Sequence, residues 1–186
     1  MKKALVITVL FFVFLALCFL QTNLFSWYNI AGIKPNLFII FILFIGLFLG
    51  KIYGLTLGTI FGLVLDLIIG KRIGLNAIML GMCGLIGGIL DKSFSKDSRI
   101  TFMLMTIAVT IFGEIVNYTL QILLISAEPA FIQFMKIVII EAIFNAILVI
   151  ILYPLIQKAG DKTEEIINES KSLMRYYWED SLGKFR

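Results

Sequence analysis

Residues Ile100–Ile125 carry a single charged side chain, Glu114, and stretches of the same character recur as far as residue 156. Each helical residue rises about 1.5 Å. A bilayer's hydrocarbon core is about 30 Å thick, so about 20 apolar residues cross it. The composition agrees: 60% of the residues are hydrophobic and 15% charged, whereas soluble domains stand near one half and one quarter. Mean hydropathy is +1.02. The chain is therefore expected to be an all-α integral membrane protein, with no room for a sizeable soluble domain.

Six membrane spans are expected, at about residues 4–20, 36–50, 52–69, 73–90, 100–125 and 134–156. They make one transmembrane domain over residues 1–156 and leave a tail over 157–186. Asn36–Ile69 is interrupted only by Lys51. As one helix it would be about 51 Å long, too long for a single span, so a tight hairpin is expected at Lys51, flanked by Gly50 and Gly54. Lys2 and Lys3 precede the first apolar run in the manner of a signal peptide, and Leu15-Ala16-Leu17-Cys18 approaches a lipoprotein cleavage box. Leu17 is not the small residue such boxes need, and the run exceeds a usual signal core, so an uncleaved first span is expected.

Basic residues set the orientation. With the N-terminus inside, the inner face holds Lys2, Lys3, Lys51, Lys92, Lys96, Arg99 and six residues of the tail, and the outer face Lys34, Lys71, Arg72 and Lys136. These are all 16 of the chain's Lys and Arg. Both termini are thus expected in the cytoplasm, with Trp27 and Tyr28 in an interfacial belt. The net charge of +4 reports membrane topology, not a nucleic-acid partner. In the tail, Ile166, Ile167, Leu173, Met174 and Tyr177 share one helical face, beside Tyr176 and Trp178. An amphipathic helix is expected, either resting in the inner interface or docking a cytoplasmic partner.

Composition also removes chemistry. Histidine is absent, which excludes histidine triads, His-ligated zinc or haem and imidazole proton shuttles. Cys18 and Cys83 lie within apolar runs and read as small core residues. No cofactor is implied, and no carboxylate spacing or phosphate loop marks an enzyme.

Eleven of the 15 glycines fall between residues 46 and 88. Gly46, Gly50, Gly54, Gly58, Gly62, Gly70 and Gly74 are spaced by four or eight, and Gly81, Gly84, Gly87 and Gly88 form a second group. Small residues at this spacing let helices approach backbone to backbone in lipid; a glycine-lined ligand cleft is the other reading. Three acids lie within spans. Asp66, near Lys71 and Arg72, suits an interfacial ion pair. Glu114 with Asn117, and Glu141 with Asn145, each share a helix face. The two faces are expected to meet as a polar clasp between spans, the alternatives being a partner contact or a proton or ligand path. A clasp would tolerate the isosteric amide at Asp66, Glu114 or Glu141.

The ordered combination Lys34-Pro35-Asn36-Leu37, Gly54-x3-Gly58-x3-Gly62-Leu63-x2-Asp66-Leu67 and Gly70-x3-Gly74-Leu75 resembles the rod shape-determining protein MreD family. Pro154 closing the last span is also similar; the long tail departs from many members. The resemblance implies a non-enzymatic subunit in the bacterial cytoplasmic membrane. It would work beside MreC and link MreB filaments to peptidoglycan synthesis by a glycosyltransferase and a class B penicillin-binding transpeptidase. The family's fold is expected to be similar to that of energy-coupling-factor substrate-binding subunits. Such a vitamin-transporter subunit is the alternative function, though the first span, bulky throughout Ala4–Ala16, lacks the small-residue stripe typical of them. A membrane-embedded enzyme stands third, for want of a reactive cluster.

Overall fold

The computed structural model describes residues 2–24, 27, 32–69, 73–90, 98–125 and 130–183. Six α-helices follow one another: α1 (Lys2–Phe19), α2 (Leu37–Leu49), α3 (Lys51–Ile69), α4 (Leu75–Leu90), α5 (Arg99–Ile125) and α6 (Phe131–Gly183). A wider helical turn, Leu20–Leu24, extends α1. Four of these segments are long and apolar enough to cross a membrane: Leu5–Asn23, Lys51–Ile69, Arg99–Leu124 and Phe131–Ile166. The two others, α2 with 13 residues and α4 with 16, are about 20 and 24 Å long, short of a full hydrocarbon core.

The shortest helix sits at the centre. Twelve of the 13 residues of α2 are buried, and it touches each of the other five helices. Its sequence, LFIIFILFIGLFL, has no polar side to turn toward water or a cavity; a helix apolar all round suits lipid and protein surroundings alike, and here protein surrounds it. Asn36 begins it, its side-chain oxygen accepting from Ile39 N–H at 3.4 Å. Gly50 ends it at φ +96°, a backbone conformation that glycine adopts without steric cost. Lys51 then starts α3 at once, so the expected hairpin is a single residue, Gly50.

Around this centre the other helices bury one side and present apolar residues outward, as lipid-facing helices do. On α1, Val6, Leu10 and Phe14 are buried, whereas Leu5, Val9, Phe12 and Phe19 are exposed. Phe14 fixes α1 to the bundle by stacking on Phe61 of α3, with centroids 4.5 Å apart. Tyr118 and Phe134 stack at 4.4 Å and join the adjoining ends of α5 and α6.

Pro154 does not close the last helix. α6 passes through it and continues to Gly183, 53 residues in all. Proline removes one backbone donor, a loss that membrane helices absorb through their neighbours. Beyond it the helix stays packed: Gly160 is buried, and a Cβ there would collide with the ring of Phe48. Ile166 packs against the core. The rest of the expected amphipathic face (Ile167, Leu173, Met174, Tyr176, Tyr177 and Trp178) is helical in backbone, but its side chains lie outside the described residues.

Candidate functional site

The glycines of α3 face those of α4 in antiparallel register. A Cβ at Gly58 would lie 2.6 Å from the carbonyl oxygen of Leu80 and 3.1 Å from Cα of Gly81. At Gly62 it would lie 2.6 Å from Cα of Ala77, and at Gly54 2.7 Å from the carbonyl carbon of Gly84. Gly84 in turn meets the Gly54 backbone, and Gly88 the backbone of Lys51. Gly81 meets the Thr59 side chain, a contact that can yield, and Gly46 lies against Gly84, Gly87 and Gly88. Nearly every close neighbour is main chain, so no side-chain rotation would make room. α2, α3 and α4 thus lie within van der Waals reach of one another's backbones.

Asp66 caps a helix, while the basic partners of the expected ion pair, Lys71 and Arg72, lie outside the described residues. Its carboxylate, 1% exposed, accepts from the N–H groups of Gly74 (2.8 Å), Asn76 (3.1 Å) and Ala77 (3.1 Å), and from the Asn76 amide at 2.8 Å. The first turn of any helix has unsatisfied N–H groups and a positive dipole end. The last turn of α3 therefore caps the start of α4 with a negative charge. Gly74, at φ +105°, turns the chain so that its own N–H reaches the carboxylate. Gly70, Lys71 and Arg72 lie outside the described residues.

Pro35 and Asn36 tie three helices together. The Gln21 amide at the end of α1 donates to the Pro35 carbonyl at 2.7 Å, and its oxygen accepts from Leu37 N–H at 3.3 Å. The Asn36 N–H donates to Asn145 Oδ1 of α6 at 2.8 Å. Asn145, fully buried, donates in turn to Thr110 of α5 at 3.0 Å. Nothing in the spacing of the sequence gave a role to Gln21 or Thr110; the Pro35–Asn36 pair and the intramembrane Asn145 were the pointers toward them, as Asp66 and the Gly74-Leu75 turn were toward Asn76.

The expected clasp takes another form. Among the described residues, no hydrogen bond joins Glu114 or Asn117 to Glu141 or Asn145. Asn117 stands beside Glu114 and accepts from Gln121 at 3.1 Å, all on α5. On α6, Asn145 reaches Thr110 and Asn36 instead. Glu114 and Glu141 are both buried, 7% and 6% exposed, and lie near enough to interact electrostatically. Each lines a separate recess: Glu114 one of about 250 Å³ with Tyr118 and Gln121, Glu141 one of about 260 Å³ with Asn36 and Asn76. No group of three or more acids or cysteines able to hold a metal occurs among the described residues.

Comparison with curated proteins and with solved structures gives no match. The family model described as rod shape-determining protein MreD matches residues 1–159, the helical bundle with the glycine face, the capped turn and the Pro35–Asn36 junction. The chain is thus an integral membrane protein that belongs to the MreD family.

Proposed function

We propose that the chain is a non-enzymatic scaffold of the bacterial elongation machinery, holding other proteins in place through shaped helical surface. The match to MreD over residues 1–159 carries this reading. The polar groups support it: Asp66, Asn36 and Asn145 are engaged in joining helices. The partners in this reading are MreC, MreB filaments, a cell-wall glycosyltransferase and a class B penicillin-binding transpeptidase. Depletion of the protein in a rod-shaped host is expected to make cells round and wide while vitamin uptake stays normal. Loss of uptake with cell shape preserved would favour a transporter subunit and overturn the scaffold.

The orientation in this reading has six spans, with both termini in the cytoplasm of a cell whose inner membrane holds the chain. It rests on the twelve inner and four outer basic residues. The short α2 and α4 then complete their crossings through the chain at their ends. A reporter active only in the periplasm, fused after Arg186, is expected to be silent, and a cytoplasm-active one bright. The opposite pattern would mean an odd number of crossings.

A further inference from the structure

A groove at the start of α6 has no part in the scaffold reading. It holds about 870 Å³, and its wall includes Ile33, ahead of α2, and Phe131, Ile132, Gln133, Lys136 and Ile137 of α6. The groove is open outward: Ile132 is 87% exposed, Phe131 64%, and Lys136 is exposed beside them. Among the described residues of the wall, Lys136 bears the only charge. No hydrogen bond or ion pair ties it to another described residue. Its depth decides what can answer that charge. Residues 137–156 are a run of 20 with a single charged side chain, the buried Glu141. Twenty helical residues cover about 30 Å, the thickness of the hydrocarbon core. Lys136 therefore stands where the hydrocarbon ends, at the level of the phospholipid phosphates. Its long apolar stem carries the ammonium to that level from an apolar surface.

We propose that this groove holds an anionic phospholipid, its phosphate paired with Lys136 and the start of an acyl chain lying along Ile33, Ile132 and Ile137. A lone charge at the edge of an apolar span is costly unless it meets water or an opposite charge, and lipid phosphate is the anion present at that depth. A soluble anion would gain nothing from the apolar wall, and a plain acyl chain nothing from the ammonium. A phospholipid answers both. Charge favours a lipid of net negative charge over a zwitterionic one, whose own cation offsets its phosphate.

The test places the full chain in nanodiscs that mix phosphatidylglycerol and phosphatidylcholine of identical acyl chains, and counts retained lipid by native mass spectrometry. One phosphatidylglycerol is expected to be retained about fivefold over phosphatidylcholine, the usual worth of one lysine at an anionic membrane surface. Lys136→Gln, at an exposed position that leaves folding intact, should abolish the preference, and Lys136→Arg should keep it. Lys162→Gln removes the same charge from an exposed position farther along α6 and should change nothing. In native membranes, a photocrosslinking amino acid at Ile132 should label lipid. Equal retention of the two lipids, or a preference that survives Lys136→Gln or falls equally with Lys162→Gln, overturns the proposal. So does displacement of the lipid by inorganic phosphate alone, which would mark a soluble-anion site, or crosslinking of Ile132 to a protein in place of lipid.

Discussion

Asp66→Asn is expected to destabilise the folded chain by about 3 kcal/mol, two orphaned N–H groups at about 1–3 kcal/mol each. The carboxylate receives four donors, two on each oxygen. An amide keeps the shape but replaces one oxygen with an NH2, whose hydrogens would point at N–H donors of the α4 start. It also removes the charge that faces the dipole of α4. From the sequence, this amide was expected to be tolerated in a protein that contributes shape and not chemistry; the direction of the four donors argues for the opposite result. Thermal or denaturant unfolding of the purified variant in detergent measures the effect. A loss under about 0.5 kcal/mol, the range of ordinary surface changes, would show that the cap contributes little.

Gly58→Leu and Gly62→Leu should be more damaging still, removing most of the folded protein from membranes. Overpacking an ordinary core costs about 1–3 kcal/mol because side chains shift. Here the obstacles are the Leu80 carbonyl and the Ala77 Cα, which move only if a whole helix moves. Parting α3 from α4 also gives up the close backbone contact that takes the place of hydrophobic drive in lipid. Ile60→Leu is the matched control: on the same helix, 54% exposed, it should leave protein levels unchanged. Membrane fractions quantified by immunoblot, with detergent-resistant folding assayed by gel filtration, decide the matter. Normal accumulation of both glycine variants would mean that α3 and α4 separate without cost.

How far the sequence could be read depended on where the information lay. Apolar length located the helices, because a bilayer imposes it on any span. The four-residue glycine rhythm on α3 has a counterpart on α4, since an antiparallel pair in close contact must be smooth on both sides. The donors to Asp66 were invisible for a physical reason: three of the four are backbone N–H groups, which any residue but proline supplies. Position alone could not pair Asn145 with Thr110 either, for a helix face shows which residues point together and not which neighbour they meet. Pro154 misled because its effect on a helix depends on packing from outside, here the Phe48 ring against Gly160. The centrality of α2 was hidden as well. A uniformly apolar helix reads alike whether lipid or protein surrounds it.

That centrality has a mechanical consequence. Bilayer thickness acts on helices that touch lipid, which answer by tilting or by bending the membrane around them. α2 is almost wholly sheathed by protein, so its length of about 20 Å is indifferent to the acyl chains. When the surrounding helices tilt to match a thinner or thicker bilayer, they move against an axle that does not change. Its two fixed ends, Asn36 and Gly50, then mark a constant depth in a molecule whose rim rises and falls with the membrane.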